Sequence, residues 1–351
     1  MTIKMPFGRN TKIRKVIARA EACINDGNFS DAISLLQSSN RDLCSPEIEV
    51  LLVELRHEAF FHAEFSSQLE QWPPEVADLF SDTIGIPEID STKFDAATLR
   101  SGVFTKGSII VRNLLSEKDV ELLRGGIEKT YLNCDLALAG SSIDATMPWY
   151  VPFQPPNREA DSMLPREWYR SGGAQLAADS PRGLFNLLEC LEENGIVDVI
   201  TDYLGERPAL SVRKTSLRQI PPTLNTENGW HQDGAFLGSG IRTVNLWIAL
   251  TDCGVDAPSM DMIPRRLTSI VPTGTEGAAF DWAVSSQMID EVCSGAPFTH
   301  LHFKAGDAIV FDEMNLHRTS TLPTMTMPRF AVEAWFFAPS CYPMDQLPLI
   351  V

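Results

Sequence analysis

The part of the chain after Pro208 constrains the fold most. It carries a succession of short β-favouring runs, "LSVRKTSLRQI", "IRTVNLWIALTD", "SMDMIPRR", "LHFKAGDAIVFD", "LHRTS" and "RFAVEAWFFAP", separated by turns and not by helical patterns. Strands at that density predict a sandwich or barrel. Alternation along each run assigns faces, because successive side chains of a strand point to opposite sides. In "TVNLWIAL", Val244, Leu246, Ile248 and Leu250 make an apolar face, while Thr243, Asn245, Trp247 and Ala249 make the other. A strand covered by helices on both sides would be apolar on both faces, so Asn245 and Trp247 are expected inside. Lys214, Ser216 and Arg218 likewise share a face, expected to line a pocket. Beyond Arg329, one face carries Ala331, Glu333 and Trp335.

The first half reads differently. Residues 1–70 form a helical segment: "TKIRKVIARAEACINDG" has helical spacing and stops at Asn25-Asp26-Gly27, and "NFSDAISLLQSSN" restarts with Ser30 as a candidate N-cap. The run Gly27-x-Phe29-x-x-Ala32-x-x-x-Leu36 resembles part of a tetratricopeptide repeat, though three repeats are needed for a self-standing array. Such helices could cap the main domain or meet a protein partner. Residues 71–99 are a Pro/Gly-punctuated connector, and residues 100–340 form the main domain. That domain opens with the strand "GSIIVRNLL" and a helix capped by Ser116. From Cys134 to Gly173 periodicity fades and aromatics accumulate, as in a lid or pocket wall. Trp149 and Trp168 are its candidate substrate contacts, with Tyr150 beside them.

Composition narrows the function. Lys and Arg number 29 against 46 Asp and Glu, a net charge of −17, which repels nucleic-acid phosphates and anionic membranes. The same excess points faintly to a cationic or neutral substrate. Seven scattered cysteines without a C-x-x-C argue against a disulfide framework or structural zinc. No apolar leader and no run of about 18 apolar residues is present. A cytoplasmic, reducing setting is expected.

The chemistry centres on "WHQDGAF", residues 230–236. With six His and 46 acids, chance alone yields about 0.8 His-x-Asp/Glu triplets, so local geometry must decide. His62-Ala63-Glu64 lies in a helical pattern, where i and i+2 diverge by about 200° and cannot share an ion. His231 and Asp233 fall at a strand end, where they share a face. His317, at the mouth of another strand, offers a third ligand. Two imidazoles and one carboxylate with open positions suit non-haem Fe(II). Arg329 is shaped to grip a carboxylate through two parallel hydrogen bonds. Arg318 competes for that role, but its side chain should point away from His317. His300 and His302 are expected on an exposed strand face.

The order of these parts resembles the phytanoyl-CoA dioxygenase-like family of Fe(II)/2-oxoglutarate-dependent oxygenases. The resemblance rests on "GVFTKGSIIVRNLLSEKDVELLR", "WHQDG", "NLWIALTD", "KAGDAIVFDEMNLHRTS" and Arg329, and spans about residues 100–340. It implies a mostly β fold with flanking helices: a double-stranded β-helix, jelly-roll and cupin-like, behind the α-helical N-terminal segment. It implies Fe(II) on His231, Asp233 and His317. The co-substrate 2-oxoglutarate would meet Arg329 and Thr319, with Asn245 and Lys214 as further cofactor contacts and Ala331 leaving it room. With O2, the enzyme would hydroxylate an unactivated C–H of a small-molecule or carrier-bound metabolite, releasing succinate and CO2. Trp247, Ser216, Arg218 and Glu333 join Trp149 and Trp168 as expected substrate contacts. Retention of Asp233 fits a hydroxylase, since related halogenases have Gly or Ala there. Desaturation or epimerisation by the same cofactors, or an inert barrel serving as an interaction module, are the alternatives. One departure stands out: Pro264-Arg265-Arg266-Leu267 replaces the family's frequent Pro-Gly-Ser-His, which touches substrate contacts and leaves the metal set intact.

Overall fold

The computed structural model describes residues 11–156, 164–224, 229–293 and 297–351. Three helices lead, α1 (Thr11–Asn25), α2 (Phe29–Leu43) and α3 (Pro46–Phe60). Gly27, at φ +80°, makes the turn after α1. The next helix starts at Phe29 after Asn28, one residue ahead of a Ser30 cap, because Asn28 already ends the turn. Ser45 caps α3 by accepting a hydrogen bond from the Ile48 N–H, with Pro46 in the first turn. Helix α3 is buried nearly all round. Arg56 donates to the Ile350 carbonyl and to Gln37, and His57 Nδ1 lies 2.8 Å from the Pro348 carbonyl. The helices thus pack onto the C-terminal strand. His62 falls beyond the end of α3, exposed, near Glu58 and stacked on Phe29, so it is not helical as its pattern suggested.

The main domain begins with β1 (Glu88–Asp90), α4 (Ala96–Ser101), β2 (Ser108–Arg112) and α5 (Glu117–Leu138). Ser116 caps α5 through the Asp119 N–H. Helix α5 runs to Leu138, so the irregular stretch begins later than Cys134. Next come α6 (Ile143–Thr146), α7 (Arg166–Ser171), β3 (Ala174–Leu176), α8 (Pro181–Glu193) and α9 (Ile196–Leu204). The remainder is strand-rich: β4 (Ala209–Ser211), β5 (Ser216–Ile220), α10 (Gly234–Leu237), β6 (Thr243–Ala249), β7 (Ser259–Met262), α11 (Ser286–Cys293), β8 (Thr299–His300), β9 (Ala308–Phe311), β10 (His317–Ser320), β11 (Arg329–Phe337) and β12 (Pro348–Ile350).

Two sheets form among the described residues. The large one runs β1-β2-β9-β6-β11-β4-β12, with β5 also on β11 and β3 on β5; the small one is β10-β7-β8. This is the jelly-roll arrangement in two facing sheets, mixed and helix-flanked, without a closed barrel. The faces fall as alternation predicts. Val244, Leu246, Ile248 and Leu250 pack with Leu184, Leu187 and Ile200 of the covering helices. Trp247 and Ala249 pack instead with Met260, Met262 and Phe303 of the small-sheet side. The polar face of β6 therefore looks into the space between the sheets, where the candidate site lies. No helix of the described residues is long and apolar enough to cross a membrane. All seven cysteines are free.

Candidate metal centre and its cavity

His231 and His317 face each other across an isolated antiparallel bridge. Each N–H donates to the other's carbonyl at 3.0 Å, and the ring centroids lie 4.5 Å apart. His231 Nδ1 lies 2.8 Å from the Gly229 carbonyl and His317 Nδ1 lies 3.2 Å from the Asn315 carbonyl. A carbonyl can only accept, so both Nδ1 atoms carry the proton and both Nε2 lone pairs stay open. Burial, then the neighbouring His231, lowers the His317 pKa to about 4, which keeps its ring neutral.

Asp233 completes the set. One donor atom from each of His231, Asp233 and His317 lies within 4.8 Å of the others. The strand expected through Asp233 stops earlier: Asp233 is helical (φ −61°, ψ −28°) and opens α10. Gln232 makes that turn. Its side chain is fully buried, donates to the Ser269 and Met314 carbonyls, and accepts from the Val271 N–H. Gly234 then passes so close to Ile270 and the Glu313 carbonyl that a Cβ would meet them at 2.7 and 3.1 Å. The polar Gln232 between the two candidate donors is the only local trace of this staple in the sequence.

Burial acts to raise the Asp233 pKa, but Lys214 and the two imidazoles outweigh it and hold the carboxyl near 2. Lys214 Nζ sits 2.5 Å from Oδ1, while Oδ2 faces His317 Nε2 at 3.8 Å and is without a hydrogen-bond partner. Lys214 therefore serves the ligand carboxylate, where a contact with the co-substrate was expected. Residues 212–215 form a turn, so Lys214 reaches the cavity from the turn ahead of β5.

Arg329 is buried at the start of β11. It crosses between the sheets to donate to the Ser259 carbonyl at 2.7 Å, and it lies 5.3 Å over the Trp247 ring. Burial, then Arg218, lowers its pKa to about 10, which leaves it protonated at neutral pH. Its Nε is buried without a partner, and so are both polar atoms of the Asn245 amide. Arg318 points outward to Asp261, as alternation required.

A cavity of about 690 Å³ opens over His231 and Asp233, and its lining includes Lys214, Ser216, Arg218, Thr319, Glu333 and Trp168. Glu333 accepts from Arg218 at 2.6 Å and from the Trp335 indole at 3.0 Å. Two expected substrate contacts lie elsewhere. Trp247 is enclosed in the inter-sheet core beside Phe303, because the inward face of β6 at that level is covered by the small sheet. Trp149 lies against Gly126 of α5, beneath Lys129 at 4.9 Å. His300 is also misjudged by the sequence pattern: it is half-buried and paired with Asp261 at 2.8 Å. The departing Arg266 binds Asp312 at 2.5 Å and does not line the cavity.

Two imidazoles and a carboxylate enclosed by a double-sheet β fold are the donor set of a candidate mononuclear non-haem metal site. The chain belongs to the phytanoyl-CoA dioxygenase (PhyH) family, whose model matches residues 104–329; its members use Fe(II), 2-oxoglutarate and O2. A search of curated proteins gave no match. Among solved structures, the chain is similar to EctD from S. alaskensis with 2-oxoglutarate and 5-hydroxyectoine (15% identity, 79% of this chain and 87% of that one, TM-score 0.49). It is also similar to AviO1 from Streptomyces viridochromogenes Tue57 (16%, 72% and 98%, TM-score 0.45). A third likeness is the α-ketoglutarate-dependent carbocyclase SnoK from nogalamycin biosynthesis (17%, 67% and 81%, TM-score 0.43).

Proposed function

We propose that this protein hydroxylates an unactivated C–H of a small-molecule or carrier-bound metabolite, with Fe(II) on His231, Asp233 and His317. The observation that carries this reading is the convergence of three donors from separate segments, with Asp233 Oδ2 left unpartnered and both Nε2 atoms open. The buried orphans of Asn245 and Arg329 suit a second polar guest, 2-oxoglutarate, since buried polar atoms are normally paired. Bound there, iron and 2-oxoglutarate supply O2 activation and hydrogen abstraction, with succinate and CO2 as by-products.

The chain's own residues do the positioning. The backbone carbonyls of Gly229 and Asn315 fix each imidazole by its Nδ1–H. Lys214 holds Oδ1 of Asp233, which directs Oδ2 to the ion. Arg329, with Thr319 and Asn245, provides a permanent cation and hydrogen-bonding groups for a dicarboxylate in a dry interior. Ser216, Arg218, Glu333 and Trp168 face the remaining space, where substrate sits. The catalytic unit takes in residues 100–340 together with β1 and β12 of its sheet, behind helices α1–α3 and the rest of connector 71–99. Free cysteines suit a cytoplasmic setting.

Anaerobic titration with Fe(II) and 2-oxoglutarate tests the reading. The wild type should develop the weak visible charge-transfer band of the chelate, and His317→Ala should not. A band of equal strength in His317→Ala would overturn it.

A further inference from the structure

The charge of the cavity wall runs against the charge of the chain. In a protein of net charge −17, the wall formed by β5 and the turn before it presents Arg213, Lys214 and Arg218. Among the described residues, the carboxylates lining the same space are Asp233, committed to the ion, and Glu333, whose two oxygens are taken by Arg218 and Trp335. Among those residues Arg213 has a loose side-chain contact, 3.4 Å from the half-exposed Asp345, which already accepts from Gln346. The Nε atoms of Arg213 and Arg218 are buried and unpartnered. Once an ion engages Asp233, this wall holds more positive charge than its own acids neutralise, so local field and net charge have opposite signs.

Much of the remaining lining is aromatic. It comprises Trp168, Tyr169, Phe236, Phe280 and Trp282, from α7, α10 and the loop after Gly277, with the Phe236 ring 4.1 Å from Lys214 Nζ. Phe280 stacks on Trp282 at 5.1 Å with an interplanar angle of 2°, and Trp282 meets His231 edge-on at 5.6 Å. Trp168 and Phe280 are more than half exposed. Large aromatics exposed around one concavity mark a surface awaiting an apolar partner.

We propose that the substrate is an amphipathic anion: a ring-bearing or otherwise flat apolar body held by the aromatic side, with a carboxylate or phosphate held by Arg213 and Arg218. The assignment rests on the cavity being the substrate site of the oxygenase proposed above. It replaces the cationic or neutral substrate that composition suggested. A guanidinium fork discriminates such anions by charge and by planar geometry.

The test uses four probes of one shape: 2-naphthoate, 2-naphthyl phosphate, 2-naphthylmethanol and 2-naphthylmethylammonium. Each is titrated calorimetrically into the full chain loaded anaerobically with Fe(II) and 2-oxoglutarate. Both anions, or whichever of the two matches the natural group, should bind at least tenfold more tightly than the alcohol, with the ammonium weakest. Arg213→Gln should erase that advantage while leaving the alcohol's Kd within twofold. Phe280→Ala should weaken all four probes by a similar factor. Equal or tighter binding of the alcohol or the ammonium overturns the proposal, as does failure of all four to bind. A charge-transfer band displaced by naphthoate also overturns it, because the carboxylate would then be on the metal. A wild type with the band but no anion preference sinks this inference alone. A wild type without the band sinks the iron reading, and the anion preference is then read in the metal-free protein.

Discussion

Strand β10 carries a charged constellation on each face, and the two are built to different standards. On the outer face, Arg318 and Ser320 reach Asp261 and His300. Both oxygens of Asp261 are taken, one by His300 and one by Arg318. On the inner face, His317 and Thr319 look toward Asp233, whose Oδ2 has no partner. The two aspartates are equally hidden, at 1% and 2% exposure. Burial therefore does not tell these two carboxylates apart; completeness of pairing does. The orphaned atoms of Asn245 and Arg329 fall on the inner side of that divide, between the two sheets.

Three experiments would break or sharpen this contrast. The largest effect belongs to Asp261→Ala, which removes the carboxylate shared by Arg318 and His300 and should cost about 3 kcal/mol of stability by urea titration. The folded fraction should keep the charge-transfer band; its loss would erase the distinction between the faces. The inner counterpart is Asn245→Leu, which removes an unpaired buried amide and should raise apo stability by about 1–2 kcal/mol. The same change should weaken 2-oxoglutarate binding at least tenfold, and a stabilised variant with unchanged affinity would remove Asn245 from the co-substrate site.

The smallest effect is a pH dependence on the outer face. The hydrogen bond that His300 donates to the Asp261 carboxylate raises the His300 pKa, overcoming partial burial. Its contribution is therefore complete below the unfolded histidine value of about 6.5 and disappears as pH climbs through the higher folded value. The Tm difference between wild type and His300→Gln should shrink across that rise. A difference that does not change with pH would contradict the pairing.

The sequence disclosed the inner face better than the outer one. Alternation in "TVNLWIAL" predicts which residues enter the core, because one side is packed by helices and the other by a sheet. The candidate metal set is readable because two imidazoles and a carboxylate fall beside strand ends. The break of "LSVRKTSLRQI" into β4, a turn and β5 is not, since every residue there tolerates extended backbone. The helical conformation of Asp233 also escapes a period-two argument: it depends on contacts from Ser269, Val271 and Met314, far along the chain. Trp149 and Trp247 fail for another reason. An aromatic in an irregular segment or on an inward face has several surfaces within reach, and only tertiary packing selects one. His300 looked exposed because its partner Asp261 belongs to another strand.

The rung joining His231 to His317 has a further implication. Two of the three proposed ion holders are locked to each other by main-chain bonds, so on that proposal the cage does not depend on its occupant for assembly. Stripping the metal should then silence the enzyme while leaving its shape intact. Any divalent ion of similar radius could enter and inhibit without leaving a trace in the protein's conformation.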